Sequence, residues 1–592
     1  MKRFSKIWFY DFEFNSRPGE IPEPVCMVAK EYFSQKTVKI WFRGEIECPF
    51  DFLSNDELFC AYFSTAELSC HLALGWPLPK NVLDLFVEYR VKTNGLPNPG
   101  GLDILSVAKM FGLQTLESSY KTSMRDLVLS GGPWSDTEKI AIINYCESDV
   151  VLLEGLFGKM KNEIDMSRAL FRGRYMTAVA RMEHRGVPID LDMLEVFREK
   201  WDYIKDNLIG SVDAQFGVYE GTTFKRDRWY EYLNGKGISW PQLPTGRLDM
   251  TDETFSEMSR RHPQLIPLKE LRATLSKLRL SELAVGHDGR NRCLLSPFRS
   301  KTGRNQPSNA KFIFGPSKWL RSLIKPPPGH GLAYIDWSQQ EFGIAGALSG
   351  DTRMQAAYHS GDPYLEFAKQ VGAAPPNATK KSHEHVRALY KECSLGVQYG
   401  MGEESLANRI QKSVPVARQL LKLHRENFCV FWKWIDAAVD HAMIQGSLST
   451  VFGWKIRVGI SGETNPRSLR NFPMQANGAE LLRLACIMGT EKGIRICAPI
   501  HDAILIEAKE SELEESVETM QQIMEEASRV VLSGFTLRSD ATLFRSPDRY
   551  CDGNGWDMWN KVMGILDEDS LSVELGTCAE VEQDMCQINT PG

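Results

Sequence analysis

No two cysteines stand in a Cys-x-x-Cys pair and none joins a histidine at zinc spacing, although the chain has 13 cysteines. Scattered cysteines of this kind argue against a disulfide framework and a structural zinc, and read as reduced thiols of a cytoplasmic protein. No run of eighteen apolar residues occurs, so no membrane span is expected. The start, Met1-Lys2-Arg3, runs into Asp11 and Glu13, carboxylates that interrupt a signal-peptide core. An excess of positive charge is missing too, since the formal net charge is −6. A protein of this charge that handles nucleic acid must concentrate its cations locally. Internal repeats are absent. What remains is an ordinary globular composition, 43% hydrophobic over 592 residues. That length allows roughly three to five domains of about 100–200 residues each.

Residues 1–165 alternate short apolar runs with helical patterns. Ile7–Asp11 reads as a strand ending in a carboxylate, Val82–Phe86 as another, and 138–161 as a long amphipathic helix, which together predict an α/β domain. Residues 166–300 are largely helical, with a helix over Ala178–Arg185 and a turn at Gly186-Val187-Pro188. Between Arg260 and Arg304 eleven Lys/Arg stand against three Asp/Glu, which suits either a solvated helix face or a phosphate-binding arm. In 311–563 a strand over Leu332–Asp336 precedes helical patterns from about 339 to 445, and a strand pair surrounds Ile494–Glu507. Residues 564–592 turn acidic and unpatterned, the composition of a poorly ordered tail.

Three segments carry polar groups in a chemically suggestive order. The first strand delivers Asp336 at its end, and Ser338 can cap the helix that carries Glu341. His501-Asp502 lies between two apolar runs, so a tight turn would project Asp502. Carboxylates on neighbouring strands can hold two magnesium ions about 4 Å apart for in-line displacement at phosphorus. Arg387, Lys391, Leu395 and Tyr399 recur every four residues, which places them on one helix face. Stacked cations there could grip a triphosphate. Taken singly, each aspartate also suits an ordinary turn, and the cations a solvated stripe.

Together, Asp-x-Ser-Gln-x-Glu, Arg-x3-Lys-x7-Tyr-Gly and His-Asp resemble motifs A, B and C of the family A DNA polymerases, over about residues 1–563. In size and layout the chain is similar to the large fragment of bacterial DNA polymerase I, and a bacteriophage-type member is expected. The resemblance implies that Asp336 and Asp502 bind two Mg2+ ions and that Arg387 and Lys391 hold the incoming triphosphate, with Lys391 able to protonate pyrophosphate. It places Tyr399 near the template base, Glu341 beneath the sugar against a 2′-hydroxyl, and His501 near the primer terminus or triphosphate. Thr302-Gly303-Arg304, Arg321 and the run Arg467, Asn471, Gln475 resemble the family's DNA-binding positions. Arg304 and Gln475 would test base-pair shape in the minor groove, whose acceptors every correct pair presents. Three positions depart from the family: Leu395 replaces an aromatic residue, Ala503 a third carboxylate and Gly343 an arginine. Leu395 predicts strong discrimination against dideoxynucleotides.

Upstream, Asp11 and Glu13 lie two apart on a strand and point to one side. Tyr145 and Asp149 lie one helical turn apart. Carboxylates with a tyrosine suit metal-dependent phosphodiester hydrolysis, although a lone Asp-x-Glu is weak evidence. In this context the set resembles a 3′–5′ exonuclease of the DEDD-Tyr type, with Tyr145 orienting water and two divalent metals held by Asp11, Glu13, Glu67 and Asp149. The family has an aspartate seventeen residues before a second one; here Asp84 matches the second and Glu67 stands at the first. The additional methylene displaces that carboxylate by roughly 1.3–1.5 Å. Asp84 itself reads as structural.

The resemblance implies a multidomain α/β and α+β architecture. A ribonuclease H-like exonuclease domain (1–165) precedes the thumb and start of the palm (166–310) and then palm and fingers (311–563). Gly396, Gly400 and Gly402 fit either flexible points of a moving fingers helix or close helix packing. Primer–template DNA and dNTPs are the implied partners, with other replisome proteins, no membrane and a monomeric state. An exonuclease whose polymerase half only grips DNA is the alternative; a scaffold that kept only the fold is a third reading, and Glu341 disfavours an RNA polymerase.

Overall fold

The computed structural model describes the chain except residues 1–3, 45, 98–99, 278–279, 316, 399, 460–464, 554 and 568–592. Two compact units share it. One gathers residues 1–186, 294–306 and 330–543, and the other 187–293, 307–329 and the chain from 544. These units cut across the sequential divisions at 165/166 and 310/311.

In the first unit β1 (Lys6–Asn15) is the central strand of a sheet ordered β3-β2-β1-β4-β5, with β2 at Glu23–Glu31, β3 at Thr37–Trp41, β4 at Glu57–Ala61 and β5 at Val82–Asp84. β1 runs antiparallel to β2 and parallel to β4. Its side chains alternate between two cores: Ile7 and Phe9 enter one, and Trp8, Tyr10 and Phe12 the other. Burial on both faces explains the nearly unbroken apolar run that carries Asp11 and Glu13. Helix α1 (Thr65–Ala73) contributes Cys70 to the second core. α2 spans Leu85–Thr93, α3 Ser118–Leu129 and α4 Asp136–Met160. α4 opens on a Ser135/Glu138 capping box and contributes Ile142, Tyr145, Cys146 and Val150 to the first core. The strand expected over Val82–Phe86 stops at Asp84, because the Asp84 carboxylate accepts from Val87 N and caps α2.

α5 (Met166–Arg185) packs on β5 so closely that a Cβ on Gly173 would lie 2.0 Å from the Val82 carbonyl oxygen. Beside it, the buried Arg172 guanidinium grips Glu88 of α2 through bonds of 2.7 and 2.8 Å. Removing one partner of such a pair costs about 3–5 kcal/mol.

A second sheet is ordered β7-β8-β6-β9, with β6 at His330–Trp337, β7 at Arg495–Ile500, β8 at Ala503–Lys509 and β9 at Ser539–Arg545. Around it lie α6 (Gln340–Ser349), α7 (Pro363–Gln370), α8 (Glu384–Gln398), α9 (Pro466–Glu491) and α10 (Leu513–Val531). A Cβ on Gly343 of α6 would lie 2.4 Å from Leu537 and 3.0 Å from Tyr358, so the arginine common in the family has no room there. Ser338 is not the helix cap expected of it. Gln339 occupies that position at φ +48°, and the Ser338 hydroxyl donates to Asp540 instead.

The second unit is mainly helical, with Leu191–Glu199, Trp201–Phe216, Arg226–Gly235, Asp252–Arg261 and Ile266–Lys277. Trp229, Trp240 and Phe255 pack at ring distances of 4.9–5.7 Å. Three cations of the basic stretch are engaged locally: Arg261 by Glu257, Arg292 by Asp288, and Arg272 over the Phe224 and Phe255 rings. Of these only Arg261 stands exposed on a helix face; Arg272 is packed on rings, and Arg292 lies outside any helix. Residues 564–567 end a helix over 556–567, and the rest of the expected tail lies outside the described residues. No helix among the described residues is long and apolar enough to cross a membrane.

Candidate active sites

β6 and β8 pair antiparallel with Asp336 opposite Ala503, and the Trp337 N–H donates to the Asp502 carbonyl at 3.2 Å. Asp336 thus ends one strand and Asp502 sits in the turn that opens its neighbour, with His501 in the left-handed region at φ +54°. Burial, then the charges of Asp502 and Asp540, hold the Asp336 carboxyl above its usual range. Burial also raises Asp502, against the pull of Arg304 and His501. Two half-buried carboxylates held at mutual cost form a site that cations relieve. Asp540, a carboxylate beside this pair, had no signal in the sequence, since only the sheet brings β9 alongside β6.

Glu341 lies in the first turn of α6, where burial raises its carboxyl and Arg304, 3.5 Å away, opposes the rise. The Thr-Gly-Arg turn has its own support. Arg483 donates to the Gly303 carbonyl at 2.7 Å and Trp454 to the Lys301 carbonyl at 3.0 Å. Arg483 is in turn paired with buried Glu480 at 2.9 Å.

On α8, Arg387 donates to Asp362, the N-cap of α7, and lies 5.8 Å over the Tyr364 ring. Lys391, one turn on, is half-buried with no hydrogen bond or ion pair among the described residues. Leu395 follows, also half-buried, and Tyr399 lies outside the described residues. Arg467 packs against the end of α8, its Cγ 3.2 Å from where a Gly400 Cβ would be. Asn471 and Gln475 succeed it along α9 at four-residue steps, and the buried Asn471 Oδ1 has no partner among the described residues. A Cβ on Gly396 would meet Leu406 at 3.2 Å, which favours the close-packing account of that glycine. Arg321 belongs to the second unit, paired with Asp552 at 2.8 Å.

The upstream cluster is denser. Ligand atoms of Asp11, Glu13 and Cys146 all lie within 4.8 Å of one another. Cys146 Sγ donates to the Asp11 carbonyl at 3.3 Å. Asp149 accepts from Lys121 Nζ of α3 at 2.8 Å, and burial, then the charge of Asp149, raises the Tyr145 hydroxyl. The Lys121 ammonium stands 5.7 Å from the Tyr145 ring centre. Burial, then the charge of Asp149, pushes the Asp11 carboxyl up to about 7, with Lys121 opposing. Burial and Asp11 raise Glu13 and Glu67 as well. Glu67 is only 4% exposed and its Oε2 has no hydrogen-bond partner among the described residues. Both oxygens of Asp84 are taken, by Phe63 N at 3.1 Å, Ser64 N at 2.7 Å, Ser64 Oγ at 2.9 Å and Val87 N at 3.2 Å. Asp84 is therefore structural, and Glu67 is the acid left facing Asp11. Lys121 was invisible in the sequence because it arrives from a separate helix; Cys146 lay inside the Tyr-x3-Asp spacing and drew no notice.

The family model for DNA polymerase family A matches residues 297–538. Among curated relatives, DNA polymerase I of Aquifex aeolicus is 22% identical over 433 residues, covering 66% of this chain and 73% of that one. DNA polymerase I of Chloroflexus aurantiacus is 25% identical over 69% of this chain and 47% of its own length. The DNA polymerase of Escherichia phage T5 is 22% identical over 61% and 49%. The chain thus spans about half the length of the latter two. Its fold is similar to a solved POL domain of Pol1 from M. smegmatis, described as a complex with DNA primer-template and dNTP. The TM-score is 0.72 at 17% identity, covering 92% of this chain and 96% of that one. Over residues 297–538 the chain is thus similar to DNA polymerase family A.

Proposed function

We propose that the chain is a template-directed DNA polymerase that extends a primer 3′ end with dNTPs, and that its N-terminal region proofreads by 3′–5′ hydrolysis. The observation that carries the polymerase reading is the Asp336–Asp502 pair, two carboxylates brought together at strand ends with their carboxyls raised. A chain that only gripped DNA would need cations there and no repelling acids. Magnesium held by Asp336 and Asp502 would supply the Lewis acidity that prepares the primer hydroxyl and the triphosphate.

The other steps fall to side chains. Lys391, unpaired among the described residues, takes the triphosphate and can return a proton to pyrophosphate. Arg387 joins it on leaving Asp362. Glu341, fixed against Arg304, fills the space under the sugar and leaves no room for a 2′-hydroxyl. Gln475 and Asn471 present amides to the minor groove. In the proofreading site Tyr145, one helical turn from Asp149, holds the attacking water, and the Glu67 oxygen left without a donor among the described residues fits a divalent cation shared with Asp11. Primer–template DNA and dNTPs are the partners this reading requires.

Single-nucleotide incorporation on a matched primer with magnesium tests it. Wild type should incorporate and Asp336→Asn should not; equal rates for the two would overturn the assignment.

A further inference from the structure

Cys146 follows Tyr145 on α4 and turns its side chain into the carboxylate cluster. Its Sγ lies 3.5 Å from Asp11 Oδ2. A tetrahedral cation with bonds of about 2.3 Å to sulfur and about 2.0–2.2 Å to oxygen has a sulfur–oxygen edge of about 3.6 Å. The thiol and carboxylate are already spaced as two ligands of one ion. Glu13 completes a set whose ligand atoms lie within 4.8 Å, so shifts on the order of 1 Å close it. A separate observation points the same way: Glu67, 4% exposed and raised by the charge of Asp11, carries an oxygen that no donor among the described residues satisfies. A second sulfur stands in the neighbouring strand, since Cys26 lies opposite Glu13 in the β1–β2 register.

We propose that the Asp11–Glu13 site also takes a thiophilic divalent cation such as Zn2+, Cd2+ or Co2+, with the Cys146 sulfur as a direct ligand. This rests on the reading of Asp11 and Glu13 as cation ligands. Binding replaces the Sγ–H bond by a sulfur–metal bond, and the proton passes to water. Hard cations such as magnesium prefer the carboxylate oxygens and leave the thiol aside, whereas thiolate selects softer ions. Among the described residues the Asp336–Asp502 pair belongs to no such sulfur-bearing group. A soft cation therefore occupies Asp11 and blocks shortening of a primer at concentrations that spare its extension.

The test is a Co2+ titration of the full chain in a phosphine reductant, read by sulfur-to-cobalt charge-transfer absorption, with magnesium-driven shortening assayed in parallel. The band should form in wild type and in Cys429→Ser, whose thiol is exposed. It should vanish in Cys146→Ser, Cys146→Ala and Asp11→Asn, with Co2+ affinity about tenfold or more weaker. Cd2+ should inhibit shortening in wild type far more than in Cys146→Ser, and primer extension reports that the variants are folded. No band, or one that survives in both Cys146 variants, overturns the thiol ligand even where magnesium-driven shortening is intact. A Cys146-dependent band without magnesium-driven shortening upholds the soft-metal site and removes the proofreading reading.

Discussion

Between β6 and β8 two half-buried carboxylates stand with a cation from another element, Arg304, which pulls on Asp502 and pairs with Glu341. Beneath α4 four acids, a phenol and a thiol are packed together, and the chain places its own ammonium, Lys121, against Asp149. Both arrangements suit divalent cations, yet they carry their charge differently. Where the acids are few, neutralisation is left to the ligands. Where they are many, burial and mutual repulsion hold protons on the cluster and an internal lysine offsets part of the charge.

The largest expected effect separates the two sites. Asp502→Ala should lower single-turnover primer extension by roughly 10³-fold or more while leaving 3′ shortening unchanged. A parallel loss of shortening would break the comparison. The next effect concerns the proton load. The Asp11 carboxyl sits at about 7 in the folded chain against 3.8 for the free group. The folded chain thus holds a proton that the unfolded chain has released, and the stability this group contributes is fully present below 3.8 and lost as the pH rises through 7. In chelator at pH 8, Asp11→Asn should stabilise the protein by roughly 1–3 kcal/mol, with little change at pH 4, as urea melts would show. Because protons compete with metal, magnesium-dependent shortening should lose activity on acidification below about pH 7. Extension, whose pair is less buried, should hold to lower pH.

Smaller effects sharpen the nucleotide side. Leu395→Tyr should relax selection against dideoxynucleotides by about tenfold in relative kcat/KM; unchanged selectivity would argue against the placement of α8 beside the sugar. Asp362→Asn keeps a capping side chain on α7 but removes the charge that holds Arg387. It should lower KM for dNTPs by roughly two- to fivefold, the scale of a half-exposed ion pair, with kcat little changed.

Much of this was legible in local spacing. Asp336 at a strand end, Asp502 in a turn, the four-residue steps of Arg387 to Leu395, and the one-turn separation of Tyr145 and Asp149 each follow from the geometry of one element. What was not legible comes from packing between elements. Lys121 reaches Asp149 across 28 positions, Asp540 reaches Ser338 across 202, and Asp362 holds Arg387 across 25. The end of β5 has a related reason: Leu85 and Phe86 suit a strand, and while the Val87 N–H that Asp84 caps is local, the other three hydrogen bonds that fix the Asp84 carboxylate come from Phe63 and Ser64, about twenty positions away. Gly343 looked like a departure from a functional position, but the contact with Leu537 and Tyr358 gives it a packing reason.

The most direct measurement follows a 5′-labelled primer, matched or 3′-mismatched, with magnesium and dNTPs in wild type, Asp502→Ala and Asp11→Ala. The account predicts that wild type trims the mismatch and extends, Asp502→Ala only shortens, and Asp11→Ala extends the matched primer without shortening either. A wild-type protein that fails to extend the matched primer would contradict it.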